Sequence, residues 1–282
     1  MTAKTDGTWV ARVSVAVALV VLSACSPLLA QGVGSGLAVP KVDCWMGLYY
    51  GDLKVGYSHT SVSRAKFEGR EVYRKDEVVE FRARFSGKKK GFTLRHTICA
   101  DDALNPVYEL ISGKDLYPAK RSEALMSFEA RYGPKTLRVK TNMEGKVAER
   151  TSALSDEDRA LAVAGIAYEF GTKALKPGDE FRLYHLCKRS FLIEPAGPQF
   201  SYFTGTATIS VLRTERVDVL GQARDAVVLE DSYDAGKLTR WQLEDGTIVR
   251  ETSSAGNVTW RLETRQEAMK MKPADGPEVG GK

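Results

Sequence analysis

From Trp45 to Glu263, apolar and polar residues alternate with a period of two. In VVEFRARF (78–85), Val79, Phe81, Ala83 and Phe85 fall on one face, with Glu80, Arg82 and Arg84 on the other. GFTLRHTI (91–98) sets Phe92, Leu94, His96 and Ile98 against Thr93, Arg95 and Thr97. VTWRLE (258–263) sets Val258, Trp260 and Leu262 against Thr259, Arg261 and Glu263. Such runs bury one face and wet the other, as antiparallel strands do. Glu144-Gly145, Asp245-Gly246, Gly256-Asn257, Gly51-Asp52 and Gly236-Lys237 separate the runs with residues that tolerate a positive φ. The expected fold is therefore mainly β, a large curved antiparallel sheet or incomplete β-barrel.

One stretch has a different period. DEDRALAVAGIAYEF predicts a helix over 156–170, with Ser155 as N-cap, Asp158 three residues on and Gly171 as the stop. Leu161, Ala164 and Tyr168 form its expected apolar stripe, which should lie across the sheet. This helix divides the strands into halves, residues 42–150 and 176–265. The whole of 42–266 reads as one β-rich domain. The Pro- and Gly-containing segment 267–282 is expected to be disordered.

The front of the chain specifies a compartment. Lys4 and Arg12 precede the uncharged run VSVAVALVVL (13–22), which has about half the roughly 20 residues of a membrane span. That order matches a secretory signal peptide. Leu22-Ser23-Ala24-Cys25 resembles the bacterial lipobox, which implies a signal peptide of residues 1–25 and diacylglycerol on the Cys25 sulfur. The alternative is an ordinary signal peptide cut nearby, for instance after Ala30, which would discard Cys25. Residues 26–41, rich in Gly, Ser and Ala, read as a flexible tether. The expected location is the bacterial cell envelope, lipid-anchored and facing the periplasm. Ser26, where an acidic residue would retain the protein, points to the outer membrane. In an oxidising space Cys44, Cys99 and Cys187 leave either one disulfide and one thiol or three buried thiols.

The β region carries a resemblance. WMGLYYGDLKVGYSHTSVSR (45–64), LKPGDEF (175–181), RVDVLGQARDAVVLE (216–230) and RWQLEDGTIVRETSSAGNVTWRLE (240–263) resemble the β-rich N-terminal region of exported bacterial transglutaminase-like proteins. In that family a catalytic domain follows the β region; no counterpart lies within these 282 residues. The resemblance thus implies a non-catalytic β module and carries no activity over. At fold level, the curved sheet with its helix is also similar to periplasmic lipoprotein carriers, which hold acyl chains in an unclosed barrel.

The chemistry-bearing residues are sparse. Three histidines occur, His59, His96 and His185, and His96/Cys99 with His185/Cys187 raise a zinc reading. His96 and Cys99 are three apart and point to opposite faces of a strand, so no metal site is expected. A Cys–His nucleophile pair at Cys187 or Cys99 lacks the surroundings that depress a thiol pKa. Asp101-Asp102 and Glu157-Asp158 fit a solvated loop and a helix start. No phosphate loop, Gly-x-Ser-x-Gly elbow or His-Glu-x-x-His helix is present. A formal charge of +5, dispersed apart from a Lys88-Lys89-Lys90 turn, does not make a nucleic-acid footprint.

No cofactor is expected. The candidate ligand or partner contacts are Trp45, Tyr49, Tyr57, His59, Leu161 and Tyr168. The function expected is a non-catalytic, lipid-anchored binding scaffold for an envelope protein or glycan. Two alternatives remain: a carrier or sensor of an acyl-chain lipid, and a cysteine-dependent hydrolase or acyltransferase.

Overall fold

The computed structural model describes residues 39–85, 87–116, 126–143, 145–172, 174–194, 197–233, 236–254, 258–270 and 277–279, and of 185–194 and 197–204 the backbone alone. Cys25 and nearly all of the expected tether lie outside the described residues.

The first half supplies β1 (Val42–Tyr50), β2 (Leu53–Phe67), β3 (Arg70–Phe85), β4 (Lys88–Ala100), β5 (Pro106–Asp115), β6 (Met126–Tyr132), β7 (Thr136–Met143) and β8 (Lys146–Ala153). Helix α1 (Asp156–Glu169) follows. The second half supplies β9 (Glu180–Glu194), β10 (Gly197–Val219), β11 (Gln222–Tyr233), β12 (Gly236–Gln242), β13 (Ile248–Ser253) and β14 (Val258–Glu263). Each strand pairs antiparallel with its sequence neighbour except across the helix, and β14 returns to pair with β1. The result is one antiparallel sheet with β8 and β9 as its two edges, not closed into a barrel. Helix α1 is the connection between those edges.

The turns behave as their residues require, with Gly51 at φ 57°, Gly145 at φ 87° and Gly246 at φ 82°. The lysine run departs from expectation. Gly87, at φ 74°, carries the turn, and Lys88 already begins β4.

Helix α1 starts as expected. Ser155 Oγ accepts from the Asp158 N–H at 3.0 Å, and Asp158 Oδ2 accepts from the Ser155 N–H at 3.2 Å, a complete capping box. Its buried face is Ala162, Gly165, Ile166, Ala167 and Tyr168. Leu161 and Ala164, expected on that stripe, are only half-buried. Gly165 decides the fit, because a Cβ there would stand 2.6 Å from the Tyr184 carbonyl oxygen of β9.

Two short elements lie in or beside the segment expected to be disordered. A second helix, α2 (Arg265–Met269), is capped by Thr264 and lies over β1 and β2. Glu278–Val279 form β15, parallel to the end of β3. Val39, assigned to the tether, packs against the core. Among the described residues no helix is long and apolar enough to cross a membrane.

Candidate binding cavity

Following the inner face along the strands of the first half, the residue character changes twice. At one end Leu48, Val79, Phe81, Leu94 and Ile111 build a fully apolar cluster. At the other, Val62, Ile98, Ala100, Ile166 and Phe170 build a second under the helix. Between the clusters the same faces turn polar. Register places Cys44 opposite Thr60, Thr60 opposite Glu77, and Glu77 opposite His96, one row across four strands. Lys75 and Glu109 flank that row.

A cavity of about 140 Å³ occupies this layer, bounded by β1–β5, α1 and the facing strands β12 and β13. Its charged lining is paired. His96 Nε2 lies 2.8 Å from Glu109 Oε1. Lys75, 7% exposed, donates from Nζ to Glu169 Oε2 at 2.6 Å and to the Glu169 carbonyl at 3.1 Å. The ammonium thus sits at the C-terminal end of α1, where the helix dipole favours a cation. Arg240, 5% exposed, donates from Nε to Glu251 Oε2 at 3.0 Å and lies 3.7 Å from Asp231 Oδ2. The Tyr168 hydroxyl donates to Asp231 Oδ1 at 2.7 Å.

Burial pushes the Tyr168 hydroxyl well above its ordinary pKa, and Asp231 adds to the shift. For Arg240 burial pulls downward, but Tyr168, Asp231 and Glu251 outweigh it and the guanidinium is held charged. The helix is therefore bolted to the first half through Lys75 and to the second through Asp231 and Arg240.

The expected contact residues divide between two faces. Tyr168 lines the cavity. Trp45, Tyr49, Tyr57 and His59 do not; they form a cluster on the convex side. There His59 stacks on Trp45 at 4.1 Å and pairs with Asp43 at 2.7 Å. Trp45 and Tyr57 have ring centroids 5.9 Å apart, and Arg265 of α2 caps Trp45 at 5.3 Å. Tyr49 donates to Glu263, which also pairs with Lys54 at 2.5 Å. Period two explains the division, since Trp45 and Tyr49 have the opposite parity to Cys44, Met46 and Leu48. Leu161 does not line the cavity either.

The residues that do, Lys75, Glu77, Glu109, Arg240, Gln242 and Glu251, were not singled out from the sequence. The signal was available in part. The parity of Phe85, Ala83, Phe81 and Val79 continues through Glu77 and Lys75, and Leu238, Arg240 and Gln242 share one parity in KLTRWQ (237–242).

The thiols are placed for packing. Cys44 lines the cavity and is held protonated, its pKa pushed up from 9.0 to about 12 by burial first and Glu77 second. Cys99 is pushed up to about 11, again mainly by burial. Cys44 and Cys99 are both free, on opposite faces of the sheet. The side chains of His185 and Cys187, on β9, lie outside the described residues. Among the described residues no group of three His, Cys, Asp or Glu side chains is arranged to hold a metal ion.

No family model matches the chain, and no curated protein matches it. Among solved structures, it is similar to a β-barrel-like protein of a domain of unknown function, DUF1849, from Brucella abortus, at 9% sequence identity and a TM-score of 0.46. That similarity covers 80% of this chain and 95% of the other.

Proposed function

We propose that the chain is a non-catalytic binding protein of the bacterial cell envelope, anchored in the outer membrane through lipidated Cys25 and facing the periplasm, with the concave interior of the sheet as its binding site. The observation that carries this reading is the cavity itself: a buried space whose charged walls are fixed in place by mutual ion pairs before any ligand arrives. Preorganised polar groups of this kind set orientation and selectivity in binding sites. The lipobox match and the likeness of residues 45–263 to a non-catalytic β module support the same reading. The raised Cys44 and Cys99 pKa values speak against a thiolate nucleophile at either residue.

An acyl-chain carrier finds less support. A cavity of about 140 Å³ is below the ~300 Å³ at which drug-sized sites begin, and its walls bear charges that a hydrocarbon chain would desolvate without return. The test is the full protein, extracted from bacterial membranes in mild detergent and weighed by native mass spectrometry. Metabolic palmitate labelling that is lost in Cys25→Ser is expected. Unlabelled protein free in the periplasm would overturn the anchor, and a stoichiometric co-purified acyl lipid would replace this reading by the carrier.

A further inference from the structure

Strand β8 ends the sheet, and among the described residues no strand pairs with its outer edge. Of its eight residues all but Ser152 are exposed. Such an edge presents the backbone N–H and C=O of alternate residues, a template for one more strand. Proteins commonly blunt an edge with a proline, a bulge or a very short strand. β8 has none of these. It holds no proline, and it pairs with β7 without a register shift, from Lys146 opposite Met143 to Ala153 opposite Thr136. Val147 leaves a large apolar side chain 59% exposed there.

The charges of β8 are sorted by face. Lys146 and Arg150 share the face that carries Leu137 and Val139 of β7, and Glu149 lies on the other. Glu149 is engaged, paired with Arg138 at 2.6 Å. Among the described residues neither Lys146 nor Arg150 meets a carboxylate.

That sorting selects the occupant. Residues directly opposite in an antiparallel pair share a face. Two copies of β8 related by a twofold axis therefore match odd positions with odd and even with even. The two longest such registers, pairing 146–152 or 147–153, set Glu149 against Glu149 or Arg150 against Arg150. Like charges directly opposite destabilise a pair, so the edge is guarded against a second copy. A foreign strand with carboxylates four positions apart meets both cations at once.

We propose that β8 accepts an extended acidic segment of a partner protein, added antiparallel at its outer edge with carboxylates opposite Lys146 and Arg150. The new backbone ladder supplies affinity, and the two cations supply selectivity and register. A neutral residue opposite Glu149 leaves its pair with Arg138 intact. This surface is separate from the cavity and stands whether or not the interior binds a ligand.

The test uses the full protein in mild detergent and fluorescence anisotropy. The probe is a capped, fluorescein-labelled octapeptide of Thr and Val with two glutamates four positions apart. One control carries lysines in place of the glutamates, and another keeps the glutamates but has prolines at alternate positions. The glutamate peptide is expected to bind and to slow hydrogen exchange at alternate amides of β8. Arg150→Glu should weaken it about tenfold, as an opposite-charge pair becomes a like one. Thermal stability should hold in that variant, because Arg150 is exposed and has no carboxylate to lose. The double variant Lys146→Glu with Arg150→Glu should instead prefer the lysine peptide. Equal binding of the proline peptide would overturn strand addition, and equal binding of the lysine peptide to the parent would overturn the acidic partner. A dimer in native mass spectrometry with protected β8 amides would make a second copy the occupant. No binding, with β8 exchange unchanged, would overturn the acceptor edge itself.

Discussion

The sheet has two places where a barrel would have to close, and they are built differently. At one, β1 and β14 form an antiparallel ladder, from Trp45 opposite Glu263 to Tyr50 opposite Val258. Backbone hydrogen bonds hold that join, and α2 with the Trp45–His59–Tyr49 cluster covers it from outside. At the other, β8 and β9 do not pair, and α1 lies between the two halves, held among the described residues by side-chain contacts that include Lys75 to Glu169 and Tyr168 to Asp231, and by the tight approach of Gly165 to the β9 backbone. The cavity adjoins this second join. Backbone ladders leave no room for a ligand, whereas a helix held by a few side chains leaves volume and polar groups beside it. The difference locates where the molecule can yield without losing its sheet.

The most damaging change should be Arg240→Met. It leaves Asp231 and Glu251 without their buried counter-charge, and removal of one partner from such a set costs about 3–5 kcal/mol. Urea unfolding measures the loss. Hydrogen exchange should show it concentrated in α1 and β12, with the β1–β14 ladder protected as before. Equal loss at both joins would break the comparison. Gly165→Ala comes next. Its methyl meets a backbone carbonyl at 2.6 Å, so α1 must lift from β9 at about 1–3 kcal/mol. Ser155→Ala removes the Oγ acceptor for the Asp158 N–H while keeping the backbone donor to Asp158, and should cost about 1 kcal/mol, read again as faster exchange in α1. At the ladder, Glu263→Gln keeps an acceptor for Tyr49 and Lys54 and should cost less than about 1 kcal/mol in the same unfolding assay. The backbone pairs remain there to hold β1 to β14.

The asymmetry of the two joins also explains what the sequence could reveal. The strands and α1 were readable because their signals are local: alternation, a positive-φ glycine, Ser155 with Asp158. The tail's α2 carried a comparable sign, since Thr264 is followed three residues later by Glu267, whose N–H it caps at 3.2 Å. The Pro- and Gly-containing stretch beyond it drew the reading toward disorder. The β1–β14 pairing has no local signature, because strand order is decided by contacts some two hundred residues apart. The site was obscured for a different reason. Lys75 and Glu77 continue an apolar parity, but a charged residue ordinarily ends a buried run, so the alternation by itself does not extend the inner face past Val79. Lys75 is buried because Glu169 of α1 meets its ammonium, a partner that only the fold supplies. Conversely Trp45, Tyr49, Tyr57 and His59 drew attention as an aromatic group, and they are one, on the face away from the cavity.

The smallest effect discriminates the joins most finely, because it perturbs nothing. Cys44 faces the cavity from β1, while Cys99 lies on the other face of the sheet. Both thiols are protonated and buried, so neither should react with iodoacetamide at pH 8 in the folded protein. Peptide mapping by mass spectrometry follows the two sites separately. In Arg240→Met, opening at the helix join exposes the interior, and Cys44 labelling should accelerate while Cys99 labelling does not. In Glu263→Gln both should stay slow. High pH gives an independent handle on the same residue. The folded Cys44 pKa is raised from 9.0 to about 12, so the folded state keeps the thiol proton where the unfolded chain has begun to lose it. Its contribution to stability is whole below pH 9 and falls as pH climbs toward 12. Cys44→Ala should therefore flatten the alkaline decline in unfolding free energy relative to the parent. An unchanged slope would mean that Cys44 is solvated, and that the interior is open at both joins rather than at one.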